Sequence, residues 1–230
     1  MPTDCRIVVV LAMHRSGSSA LAGYLHHAGF ALPSEPLPPH PLDNPEGYFE
    51  PKELVAINNR ALKRLGLDWK ATEALSDSEL QAPELDDIRQ DIHAYLAKAC
   101  QQASLLVLKD PRLCRLLPLW WPAIQAHGRN PLIIHLVREP NATAVSLARR
   151  AQHPKLAGAA ITDHKVGTSL WLRHNLDAWR HRQVVAPECR YSLSYEAFSQ
   201  KRSARRALHR WLTQALAPTK LQQSHKPLPI

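Results

Sequence analysis

Four short apolar runs punctuate the chain, at residues 6–13, 105–108, 132–137 and 190–193. The first three are continuous rather than alternating, the pattern of strands covered on both faces. Between and beyond them, apolar positions recur at helical spacing over 18–28, 51–65, 85–101, 118–127, 142–150, 166–185 and 203–215. Strands alternating with helices predict a three-layer α/β domain, a parallel sheet flanked by helices. Within 166–185 the stripe Trp171, Leu172, Leu176 and Trp179 is expected to face the core.

One stretch breaks this rhythm. Pro33, Pro36, Pro38, Pro39, Pro41, Pro45 and Pro51 exclude a helix between Phe30 and Pro51 and predict an extended loop. Its end, Asp43 to Glu50, carries acids and aromatics, which a passive connector does not need. We expect one domain over 1–217, with 30–103 inserted after the first βα unit, and a loosely ordered tail over 218–230.

Composition narrows the partners. Apolar residues make up 45% of the 230, enough for a core, and the net charge of +9 favours an anionic partner. The four cysteines, Cys5, Cys100, Cys114 and Cys189, form no CxxC pair and read as free thiols of a reducing compartment. A strand starting at residue 6 leaves no room for a signal peptide, and no apolar run reaches spanning length. A cytoplasmic protein without a membrane span is the expectation.

The chemistry gathers where strands end, because ligands of open parallel sheets bind beyond the carboxyl ends of the strands. After the first run come His14-Arg15-Ser16-Gly17-Ser18-Ser19 and then a helix. Backbone N–H groups and the positive end of the helix dipole converge there, which suits a phosphate or sulfate. The plain alternative is an ordinary helix cap by Ser16 or Ser18. The second run leads into Lys109-Asp110-Pro111-Arg112; if it lies beside the first, Lys109 emerges next to the cradle. The third ends in Arg138-Glu139-Pro140, and Ser146 follows about two helical turns later, so guanidinium and hydroxyl can clamp a second phosphate. The loop lacks the GxxxxGK[ST] of nucleoside triphosphatases and the GxGxxG of dinucleotide folds.

In order and spacing these segments resemble the sulfotransferases that use 3′-phosphoadenosine 5′-phosphosulfate. Met13–Ser19 looks like that family's 5′-phosphosulfate loop. Val137-Arg138-Glu139-Pro140 with Ser146 looks like its 3′-phosphate motif, and Ser194-Tyr195-Glu196 like its YE motif. The KDPR segment and Asn44–Glu50 look most like bacterial members. The resemblance implies a P-loop-like sulfotransferase fold and 3′-phosphoadenosine 5′-phosphosulfate as cosubstrate, with no metal. It implies that His14, Arg15, Ser16, Gly17, Ser18 and Ser19 hold the 5′ end, Arg138 and Ser146 the 3′-phosphate, and that Tyr195 supports the nucleotide. Many members carry a lysine and a histidine two apart on the strand matching 105–108. Here Lys109 is kept, and Pro111 stands where the histidine would be.

Transfer of a sulfuryl group builds negative charge that Arg15 and Lys109 can neutralise, and the acceptor must lose a proton. Asp110, beside Lys109, ranks first as base; Glu50 and Glu46 follow, then His14 and His40. The acceptor is expected to be a small molecule, glycan or lipid, bound largely by the 30–103 insert, with no nucleic acid involved. The rivals are a small-molecule kinase, which needs the absent lysine loop, a basic module binding nucleic acid, and a degenerate member that holds the nucleotide without transfer.

Overall fold

β1 (Arg6–Leu11) lies at the centre of a parallel sheet, between β2 (Leu105–Lys109) and β3 (Leu132–Val137), with β4 (Arg190–Ser194) outside β3. The order β2-β1-β3-β4 places Val10 opposite Lys109 and Leu11 opposite His135, so the cradle and the Lys109 turn leave the same edge side by side. A computed structural model describes residues 5–41, 43–151 and 161–217. The 218–230 tail expected to be loosely ordered lies outside the described residues.

Ile7 to Leu11 of β1 are all buried, and successive residues enter opposite cores. Ile7, Val9 and Leu11 join a core with α2 (Lys52–Arg64), α4 (Asp86–Gln102) and α5 (Leu113–His127). Val8, Val10 and Ala12 face α1 (Ser18–His27) and α9 (Arg202–Leu216). These are the three layers that the apolar runs predict. The insert is therefore no loose appendage: Leu54, Ile57, Ile88, Ile92 and Leu96 are all core. Short helices α3 (Asp77–Gln81) and α8 (Tyr195–Gln200) add to the helices that spacing finds, and α6 (Pro140–Ala151) and α7 (His164–His181) complete the outer layers. Among its described residues the proline-rich stretch carries only isolated bridges, Pro36 to Pro51 and His40 to Asn44. Ala31 bonds to both sides of Leu106 and covers the outer edge of β2.

Two expectations need correction. α5 starts at Leu113, not at Pro118, and holds Pro118 and Pro122 inside it. Pro118 has no N–H for the carbonyl of Cys114 one turn back; His181 Nδ1 of α7 donates to that carbonyl instead, at 2.9 Å. The apolar stripe of α7 is not core. Leu172, Leu176 and Trp179 are 50%, 49% and 56% exposed, while Gly167, Leu170, His174, Asp177, Ala178 and His181 form the buried face. That face packs through a close Gly167–Ala144 approach to α6 and an Arg115–Asp177 ion pair of 3.1 Å to α5. Trp171 alone of the stripe turns partly inward.

Candidate active site

The first turn of α1 opens into a cavity of about 580 Å³ lined from β1, β2 and β3 ends, by insert residues 37–40, 43, 44 and 46–50, and by Trp69. Gly17 is the residue before α1, at φ 80°, and no side chain among the described residues caps the helix. The alternative of an ordinary serine cap is thereby overturned: Ser16 Oγ is buried and finds no partner among the described residues, and Ser18 lies inside the helix. An uncapped helix start leaves N–H groups directed at the cavity. Arg15 also takes a left-handed backbone, φ 64°, which disfavours any side chain and marks a turn held by its surroundings.

Tyr195 explains the glycine. A Cβ on Gly17 would stand 2.0 Å from the Tyr195 ring, so the ring lies directly against the loop. Across that ring, 5.0 Å from its centroid, sits the Arg138 guanidinium. Arg138 Nη1 donates to Arg15 O at 2.8 Å, and Trp171 Nε1 donates to Arg138 O at 2.8 Å. The turn after β3 is thus tied to the turn after β1. Ser146 is reached from the other side, where Arg15 Nε donates to its hydroxyl at 3.0 Å.

Opposite the loop stands a second polar group. Lys109 Nζ donates to Glu50 Oε1 at 2.6 Å, to Tyr48 O at 2.9 Å and to Ser19 Oγ at 3.4 Å. Lys109 is 1% and Glu50 8% exposed, and both line the cavity. Asp110 does not line it. It is 0% exposed; Arg112 N and Nη1 donate to Oδ1 at 3.0 and 2.9 Å, and Asn58 Nδ2 donates to Oδ2 at 2.9 Å. Asn58 in turn accepts from Trp120 Nε1 at 2.7 Å, so the Asp110 carboxylate is the middle of a core network that aims Arg112 at the cavity. Burial opposes the Arg112 charge, but Asp110 and Glu50 outweigh it and hold its pKa above the usual value.

His14 faces Trp69 at 4.6 Å between ring centroids. Burial, followed by the charge of Arg112, pushes its pKa well below the ordinary histidine value, so the imidazole stays neutral. Burial likewise lowers the Arg15 pKa, an effect that Asp43 opposes and Arg150 and Arg138 reinforce.

The structure brings His14, Arg15, Gly17, Ser18, Ser19, Glu50, Lys109, Arg138 and Tyr195 to one cavity. Glu46 and His40 lie at the same cavity, Glu46 exposed to solvent. Sequence inspection missed Asp43, Trp69, Arg112 and Arg150 as cavity residues. Arg150 had a signal, since it lies four residues after Ser146 and shares its helix face. Trp69 had none.

The sequence model of the sulfotransferase family matches residues 8–215. Among solved structures, the chain is similar to the sulfotransferase domain from the curacin biosynthetic pathway at 21% identity. That match has a TM-score of 0.53 and covers 91% of this chain and 74% of that one. The sulfotransferase domain from the Synechococcus PCC 7002 olefin synthase is similar at 21% identity and a TM-score of 0.52, over 92% of this chain and 75% of that one. These likenesses show the fold, the P-loop-like architecture of such domains. No curated protein matches the sequence.

Proposed function

The chain belongs to the sulfotransferase family, and from that premise we propose that it moves a sulfuryl group from 3′-phosphoadenosine 5′-phosphosulfate to a hydroxyl or amine of a small-molecule, glycan or lipid acceptor. One observation carries the proposal: Arg138 and Arg15, from turns of different strands, are joined by a 2.8 Å hydrogen bond and line one cavity with the uncapped start of α1. Two oxyanion holders that adjoin can serve the two ends of a single nucleotide. The residues fit that donor, for Gly17 leaves the loop open where any side chain would meet Tyr195. Ser18 and Ser19 sit at the helix start, and Lys109 is buried beside them.

The donor, when bound, supplies a sulfuryl group already attached to a good leaving group. The chain supplies the rest. Arg15, Lys109 and the N–H groups of the α1 start stabilise the negative charge that grows during transfer. Glu50, oriented through Oε1 by Lys109, takes the acceptor's proton, the role that a histidine at position 111 cannot fill here. The 30–103 insert forms the acceptor side, through residues 37–40, 43, 44 and 46–50 and Trp69.

Calorimetry with 3′-phosphoadenosine 5′-phosphate tests the proposal. Binding is expected without magnesium, and Arg138→Ala is expected to weaken it by about 10- to 100-fold, the loss of charge-assisted bonds. Equal affinity for adenosine diphosphate, or an unaffected Arg138→Ala variant, overturns it.

A further inference from the structure

Two guanidiniums close on one carboxylate at the edge of this cavity. Asp43 Oδ1 accepts from Arg15 Nη1 at 2.6 Å, Oδ2 lies 3.1 Å from Arg150 Nε, and Tyr48 donates its phenol to Oδ2 at 2.7 Å. The Asp43 side chain is 1% exposed. Two arginines and a phenol around one pair of oxygens make an arrangement that a sulfuryl or phosphoryl group satisfies as well as a carboxylate does, because each presents the same two-oxygen edge to a guanidinium.

The other buried carboxylates nearby are built in differently. Glu50 adjoins the start of α2, and Asp110 is fixed inside the core by Asn58 and Arg112. Asp43 sits in the turn bridged by His40 and Asn44, on a segment with no helix or strand among its described residues. Arg15 Nη1 also donates to Asp43 O at 3.3 Å, and Asn44 Nδ2 donates to Ser19 Oγ at 3.0 Å, so the main chain stays anchored while a rotation of the Asp43 side chain frees the arginines. Arg15 meanwhile has Nη1 given to Asp43 and Nε to Ser146, so the cation at the head of the cradle is committed within the protein.

We propose that Arg15, Arg150 and Tyr48 form an oxyanion site that Asp43 occupies as an internal anion, and that a sulfuryl or phosphoryl group of the donor takes the site by displacing the carboxylate. The donor's identity rests on the function proposed above; the site itself does not. Asp43 then lowers apparent donor affinity by the fraction of molecules in which it holds the arginines, since only the remainder can bind. It keeps the paired cations neutralised until a ligand with more charge arrives.

The test uses two probes on the full chain, 3′-phosphoadenosine 5′-phosphate by calorimetry and inorganic sulfate by its effect on the thermal midpoint. Asp43→Asn and Asp43→Ala are each expected to bind the nucleotide about tenfold tighter than the unmodified protein. Sulfate should raise the midpoint of Asp43→Asn more than that of the parent, because it fills the vacated site. Should Asp43→Asn fail to fold, Asp43→Ala carries the same test. Unchanged or weaker nucleotide binding in these variants, with no added response to sulfate, overturns the proposal and makes Asp43 a prop for the arginines. A sulfate response that survives in Asp43→Asn while no form binds the nucleotide supports the site and removes the donor instead.

Discussion

Lys109 and Asp110 are neighbours in one turn, yet their side chains enter different environments. Lys109 turns to the cavity and meets Glu50; Asp110 turns into the core and meets Asn58 and Arg112. A base must reach its proton, and a carboxylate with hydrogen bonds to both oxygens beneath a fully buried surface does not. Glu50→Gln is therefore expected to cut turnover by about two to four orders of magnitude while leaving affinity for 3′-phosphoadenosine 5′-phosphate within a few-fold. Asp110→Asn should instead lose stability, about 3–5 kcal/mol, because it strands a largely buried Arg112. A urea titration and single-turnover rates on the folded fraction separate the two; a folded, stable and inactive Asp110→Asn would return the base to Asp110. The sequence showed that a lysine and several carboxylates lay near the cradle. It did not show which carboxylate faced inward, since that depends on the partners that α2 and α5 bring.

α7 shows the same limit for a whole element. Periodicity correctly places a helix there, but two faces compete: one of large apolar residues, one of small and polar residues. The second is buried because α6 approaches closely at Gly167, and because Arg115, Cys114 O and Arg138 O need Asp177, His181 and Trp171 as partners. Satisfying buried polar groups outweighs burying Leu172 and Leu176. Leu176→Gln is accordingly expected to change stability by no more than about 0.5 kcal/mol, whereas Leu170→Ala should cost about 2–5 kcal/mol. Chemical denaturation of both variants checks this, and a large loss in Leu176→Gln would contradict the assigned face. α5 follows the same rule, its Pro118 tolerated because His181 supplies the missing donor.

Across the whole molecule, buried neutral histidines tie stability to pH. Burial pushes His174 and His135 down to about 4 from an ordinary 6.5, and lowers His14 and His181 as well. The unfolded chain binds these protons near pH 6.5, whereas the folded chain protonates His174 and His135 only near 4, and His14 and His181 less readily than the unfolded chain does, so it is the unfolded state that gains as pH falls. Stability should be fully present above pH 6.5 and decline toward pH 4, by up to ~3 kcal/mol for each of His174 and His135. Urea midpoints that stay level from pH 7 to 4.5 would refute this. The apolar runs and the turn residues after them determined the layers, the parallel sheet and the position of the cradle, because burial periodicity and strand-end chemistry are local properties of a chain. Only the tertiary structure decided which charges meet: Asp43 with Arg15 and Arg150, Glu50 with Lys109, Arg138 with the loop of Arg15. Those pairings join residues from 28 to 123 positions apart, and such contacts are set by how layers stack, not by spacing along the sequence.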